Sequence, residues 1–176
     1  FTVMNDGTVA FVSDITPSEP GSELPRLGYR AILPEGLEHM RWLGRGPHDS
    51  YRDRCESAFT GLWESTVSAQ WENHVLPQET GNKEDVEWMA LTGGDGRGIL
   101  FVAPYKMAAS AGHWDDRAIY TDRRHRLRHL GRLEHGGGGV IEVDHRLLRL
   151  RSGRILAVSI PHGIDLTRQG DHVLEG

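Results

Sequence analysis
Short apolar runs recur along the chain, each broken after a few residues by Gly, Pro, Asn or Asp. The clearest cover residues 2–4, 8–12, 27–33 and 40–43, then 86–91, 98–102, 140–144 and 155–160. Runs of this length bounded by turn residues predict antiparallel strands. Asn5-Asp6-Gly7 separates the first two runs, where a tight hairpin needs positive φ, so a hairpin is expected there. Along the fifth run, Val86, Trp88 and Ala90 alternate with Glu87, Met89 and Leu91, which predicts one apolar and one mixed face on a half-buried strand.

No stretch holds an apolar stripe of helical period over three turns with caps at both ends, so helix content should be low. Residues 117–133 place Leu127, Leu130 and Leu133 at helical spacing, and read equally as a polar strand pair. Residues 18–22 and the four glycines at 136–139 read as surface connections, because strand-like sequence resumes after each. With no internal repeat, residues 1–176 are expected to form a single all-β domain, an antiparallel β-sandwich.

Composition narrows the partners. The 176 residues are 38% hydrophobic and 26% charged, ordinary for a globular chain. Net charge is −5, and the arginine-rich stretches at 117–132 and 146–154 are mixed with Asp and Glu, which argues against nucleic acid. Cys55 is the only cysteine, so an intrachain disulfide is excluded and a thiolate metal site is short of ligands. A reducing, cytoplasmic setting is expected. No apolar run approaches the roughly 18 to 20 residues needed to cross a bilayer, and the start resembles no signal peptide, so no membrane partner is expected. The chain begins with Phe1 rather than Met, which suggests a piece of something longer.

Candidate chemistry is thin. The stretch from Pro77 to Asp85 carries three carboxylates, Glu79, Glu84 and Asp85. Glycosidase carboxylates must flank a sugar about 5 to 9.5 Å apart, one with a raised pKa. Adjacent Glu84 and Asp85 read better as a solvated turn, and Glu79 as a carboxylate holding a loop. His125 and His129 have metal-ligand spacing for a helix, but lie among arginines without a His-Glu-x-x-His pattern, so no metal is expected. Ser65, Ser68 and Ser110 lack the Gly-x-Ser-x-Gly context of a nucleophile. The glycine-dense segment 93–98 links two strands and opens no helix, and is expected to be a hairpin loop rather than a phosphate cradle. Among the five tryptophans, Trp42 and Trp88 lie inside strand runs and read as core. Trp63, Trp71 and Trp114 read as candidates for a ligand surface or an interface.

Three motifs occur in order: Leu24-Pro25-Arg26-Leu27-Gly28, Trp42-Leu43-Gly44-Arg45-Gly46-Pro47-His48-Asp49-Ser50-Tyr51-Arg52-Asp53-Arg54, and Pro77-Gln78-Glu79-Thr80-Gly81-Asn82-Lys83-Glu84-Asp85-Val86. Together they resemble the C-terminal small-chain domain, domain 5, of the large β-galactosidases of glycoside hydrolase family 2. The likeness covers about residues 1–110, and 140–144 more loosely. It implies a β-supersandwich of the galactose-mutarotase-like kind. It also implies a parent enzyme that hydrolyses terminal β-D-galactosides with retention, using two Glu residues in a central (β/α)₈ barrel. Such a barrel takes about 250 residues and is not in this chain, so no catalytic residue is expected here. Partners implied are the barrel and other domains of the same enzyme and a galactoside substrate, with a second copy in a homo-oligomer left open. The Mg and Na ions such enzymes use belong to other domains, and no cofactor is expected in this chain.

The resemblance assigns scaffold roles to Trp42, Arg45, Gly46, Pro47, Tyr51, Asp53, Arg54, Gln78, Glu79 and Asn82. Gly44, Gly46 and Pro47 would set a turn, with Arg45, Asp53 and Arg54 pairing to hold it. In some members the loop before the strand corresponding to 98–102 carries a Trp that lines the acceptor subsite. Here 92–97 has none, which leaves Asp95 and Arg97 as the substrate-binding candidates of that loop, beside Trp63 and Trp71. Beyond Asp144, the family's Gly-x-Gly-Gly-Asp run is replaced by His145-Arg146-Leu147-Leu148-Arg149-Leu150. Two rival readings remain: a carbohydrate-binding module using Trp63, Trp71 or Trp114, and an epimerase-like enzyme pairing His74 with Glu79 or Glu87.

Overall fold
The computed structural model describes residues 1–13, 27–75, 78–114, 138–144 and 153–160, the last two segments by their backbone. Nine strands are present among the described residues: β1 Thr2–Val3, β2 Thr8–Ser13, β3 Gly28–Glu35, β4 His39–Gly46, β5 Phe59–Thr66, β6 Lys83–Thr92, β7 Gly98–Gly112, β8 Gly138–Asp144 and β9 Gly153–Ile160. The one helical element among the described residues is a 3₁₀ turn, Ser68–Gln70. Every strand pairing is antiparallel.

The expected first hairpin forms. Gly7 takes φ 86° in the turn, Met4 N donates to Thr8 O at 2.8 Å, and the Asp6 carboxylate accepts the Thr8 N–H at 2.8 Å. That short polar side chain substitutes for a missing backbone partner, which is why Asx residues suit such turns. The segment 93–98 likewise closes the β6–β7 hairpin, with Gly93 N donating to Arg97 O at 2.8 Å and Gly96 at φ 75°.

The strands run in the order β1-β2-β9-β7-β6-β4-β5, and β8 branches off β7 to carry β3. Strand β7 makes this branching possible because it is 15 residues long. Its first part, 98–102, pairs with β9, and its last part, 108–112, pairs with β8. Between the pairs Val86↔Met107 and Trp88↔Val102, β6 has only Glu87 while β7 has residues 103–106. This bulge absorbs Pro104, which has no N–H to give a ladder, and bends the sheet there. Leu33 and Ala31 of β3 then pack on Met40 and Trp42 of β4, Val86, Met89 and Leu91 of β6, and Phe101 and Met107 of β7. The fold is the all-β antiparallel sandwich expected from the pattern.

The same bulge corrects the alternation read for β6. Val86, Met89 and Leu91 share the core, so the inward positions shift register inside the strand. Trp88 moves to the opposite face, beside Leu43 and Val102 in register, and is half-buried where a core position was expected. Trp42 is the buried tryptophan, with no exposed surface. Strand β5 and the second half of β7 were not foreseen. The run 136–139 is part strand, since Gly138 and Gly139 open β8. The segments 18–22 and 117–133, the Leu24–Arg26 part of the first motif, His125, His129 and 145–150 lie outside the described residues.

Candidate functional site
Three places gather the residues singled out by sequence. The first is where β4 leaves the sheet. Arg45 Nε donates to Asp85 Oδ2 at 2.6 Å, and Nη1 donates to the carbonyls of Cys55 at 2.9 Å and Ala58 at 3.0 Å. The guanidinium fork thus ties the end of β4 to the start of β6 and to the loop before β5. Its carboxylate is Asp85 rather than the expected Asp53, which is exposed. Arg54 instead meets Asp49 at 3.1 Å and lies over the Tyr51 ring, 5.3 Å from its centroid. Asp85 adopts φ 55°, a left-handed conformation that Asp tolerates better than most residues.

The two longer motifs close on each other here. Ser50 N donates to Asn82 O at 2.8 Å and Asn82 Nδ2 returns a bond to Ser50 O at 2.8 Å. Glu84 N donates to Ser50 Oγ at 3.0 Å, Asn82 Nδ2 reaches Glu84 Oε1 at 3.2 Å, and Tyr51 Oη donates to Glu79 O at 3.2 Å. Burial raises the Tyr51 phenol above its ordinary range. Gly46 joins Pro47 through a cis peptide bond. Pro47 and Gln78 are exposed, and the Glu79 residue is half-buried. Glu84 and Asp85, read as a solvated turn, are in fact buried, because they belong to β6 itself and are held by Asn82 and Arg45.

Sequence reasoning missed Lys83. It is 1% exposed, its Nζ donates to Gln70 Oε1 at 2.8 Å, and it lies 5.2 Å from the Trp42 ring centroid. Gln70 is fixed in turn by donating to Ser65 Oγ and Thr66 O. Burial pushes the Lys83 pKa down to about 8, against the pull of Asp49 and Glu72. Its position in the polar run Asn82-Lys83-Glu84-Asp85 hid it, since nothing local marks a lysine that turns inward.

The second place is a groove of about 440 Å³ between the β3–β4 turn and the β6–β7 hairpin, lined by Pro34, Glu35, Leu37, Asp95, Arg97 and Ile99 together with glycines. Arg97 N donates to Asp95 Oδ1 at 3.0 Å, and Arg97 Nε lies 3.6 Å from Asp95 Oδ2. The Arg97 side chain is 65% exposed and that of Asp95 62%. Glycine is required at 98, because a Cβ there would sit 2.0 Å from the Leu91 carbonyl oxygen, and a Cβ at Gly93 would lie a tight 3.1 Å from the Gly36 carbonyl oxygen. Asp95 and Arg97 are therefore brought together, while Trp63 and Trp71 do not line this groove.

Trp63 packs against the core from β5. Its indole covers Gly46 and Gly61, and its N–H donates to Gly44 O at 3.2 Å and Phe59 O at 3.3 Å.

The third place holds Trp71 and Trp114, half-buried, with ring centroids 5.4 Å apart and planes tilted by 48°. Beside them His113 Nε2 lies 3.0 Å from Glu38 Oε2 and 3.1 Å from Ser68 Oγ, and Ser68 N donates to Glu38 Oε1 at 2.9 Å. The hydroxyl and the carboxylate share one ring nitrogen, so this is no nucleophile–base–acid relay, which needs one on each nitrogen. Burial raises the Glu38 pKa, but the hydrogen bonds from Ser68 and His113 outweigh it and hold the carboxyl below its usual value.

The rival His74 donates its backbone N–H to Glu72 O, and Glu87 of β6 sits opposite the bulge of β7. Among the described residues no group of three His, Cys, Asp or Glu is placed to hold a metal ion, and no helix is long and apolar enough to cross a membrane.

The family model described as "Beta galactosidase small chain" matches residues 1–148. The chain is 37% identical to a β-galactosidase of Priestia megaterium over 100 residues, 57% of this chain and 10% of that one. It is 34% identical to a β-galactosidase of Kluyveromyces lactis over 123 residues, 67% of this chain and 12% of the relative. To a β-galactosidase of an Arthrobacter species it is 40% identical over 81 residues, 45% of this chain and 8% of the other. The chain thus spans about a tenth of the length of the curated relatives it matches.

Proposed function
The chain belongs to the β-galactosidase small-chain family, and we propose that it is the non-catalytic sandwich module of a cytoplasmic β-galactosidase of the glycoside hydrolase 2 type. In this reading it packs on a catalytic barrel and shapes the mouth of the active site. The observation that carries it is the use made of the acidic motif: Asp85 is held by Arg45, Glu84 by Asn82, and the carbonyl of Glu79 by Tyr51. Carboxylates locked into such a strap hold a shape. A retaining glycosidase needs two that face a sugar about 5 to 5.5 Å apart, and those are proposed to lie in the barrel.

What this chain supplies is position. The strap ties the end of β4 to the start of β6, and β6 runs on into the β6–β7 hairpin, which holds Asp95 and Arg97 at an open groove. A carboxylate and a guanidinium side by side suit the vicinal hydroxyls of a sugar, so these two are proposed to line the entrance for the galactoside. Rigid placement of such side contacts supports catalysis by orienting substrate rather than by touching the reacting bond.

The test is hydrolysis of a chromogenic β-galactoside by this chain alone, and by the chain mixed with a fragment carrying the barrel. Activity in the mixture only is the expected result. Activity of the chain alone would overturn the scaffold role and return attention to the carboxylates around Glu79.

A further inference from the structure
Trp71 and Trp114 are far apart in sequence, yet the structure sets their rings 5.4 Å apart at a tilt of 48°. Each follows directly on a residue or turn that is tied to the other. Ser68 opens the 3₁₀ turn whose carbonyl accepts the Trp71 N–H at 3.4 Å, and His113 immediately precedes Trp114. The Ser68–His113–Glu38 bonds therefore clamp the two chain segments, and with them the two indoles. Neither ring belongs to the core cluster, and both keep part of their surface open. Glu72 and Asn73, which follow Trp71 in the chain, are exposed.

A held pair of aromatic rings, followed in the chain by exposed polar residues, suits the two-sided chemistry of a pyranose. Its C–H face stacks on an aromatic ring while its hydroxyls take hydrogen bonds at the rim. Pre-setting the rings through the polar clamp lowers the ordering cost of such a contact. We propose that Trp71 and Trp114 form a carbohydrate-contact platform for a hexopyranose, separate from the Asp95–Arg97 groove. The platform does not depend on the scaffold role: a chain that completes an active site elsewhere can lack it, and a chain that completes none can have it.

The experiment is a titration of the 176-residue chain with methyl β-D-galactopyranoside, followed by saturation-transfer NMR on the ligand and by backbone amide shifts on the protein. Saturable binding in the millimolar range is expected, weakened about tenfold by Trp114→Leu and unchanged by Tyr105→Ala, which removes an exposed ring that lines neither place. Shifted amides should fall on residues 68–75 and 110–114. No saturation, equal binding by Trp114→Leu, or shifts confined to 93–99 would overturn the platform. The shift map decides the matter even if the substituted chain folds poorly.

Discussion

Lys83 shows how a residue's surroundings set its behaviour. Its ammonium is buried against the Trp42 ring with Gln70 as acceptor, and burial lowers its pKa from 10.5 to about 8. Between those values the unfolded chain binds more protons than the folded one, so stability rises with pH across that window and is flat below about 8. The full rise is about 3 kcal/mol. Urea melts at several pH values should show it, and Lys83→Met should remove it while leaving stability at neutral pH equal or higher, since a buried charge is exchanged for an apolar chain of similar length. A Lys83→Met chain that keeps the same rise would refute this account. Arg45 makes the opposite case. Asp85→Ala strips its carboxylate and puts a residue with no polar side chain at φ 55°, so a loss of about 3 kcal/mol is expected in the same melts. Neither partner choice was legible beforehand: the motif announced that Arg45, Asp53 and Arg54 matter together, but Asp85 lies 40 positions away and only the β4–β6 register brings it near.

Among the described residues, β5 pairs only with β4 and ends the sheet order. Trp63 pins it, because the indole fills the space left by Gly46 and Gly61, where a Cβ on Gly46 would come within 2.6 Å of the ring. Trp63→Ala should cost about 3 kcal/mol, and the β5 amides should then exchange with solvent well before those of β4 and β6. Equal exchange across the three strands would show that β5 is held by something else. This strand escaped the hydrophobic pattern for the same reason it is exposed: Phe59 and Leu62 are largely open, Gly61 interrupts, and only alternate positions face inward. The hairpins at Asn5–Gly7 and Gly93–Gly98 were readable because turns with positive φ need particular residues. The bulge between β6 and β7 was not, since a register shift depends on the partner strand. That is why Trp88 and Met89 exchanged faces relative to the simple alternation.

For the whole molecule, the proposed function divides the work between the strap and the open groove. Arg45 is tied to Asp85, Cys55 and Ala58, and Ser50 to Asn82 and Glu84, whereas the Asp95 and Arg97 side chains stand exposed at the surface. Substitutions in the two should therefore fail differently. Arg97→Ala should leave the melting behaviour of the chain within about 0.5 kcal/mol, as expected for an exposed side chain. In the enzyme reassembled with its barrel it should raise KM for a galactoside with little change in kcat, the signature of lost uniform binding. Asp85→Ala should do the reverse: it destabilises the module and lowers the amount of active assembly, with KM unchanged in the fraction that assembles. Steady-state kinetics at several ratios of the two fragments separate these outcomes, because lost assembly is restored by excess module and lost binding is not. If Arg97→Ala leaves KM untouched while Asp85→Ala still depletes the assembly, the groove has no part in substrate entry and the module acts through its shape alone.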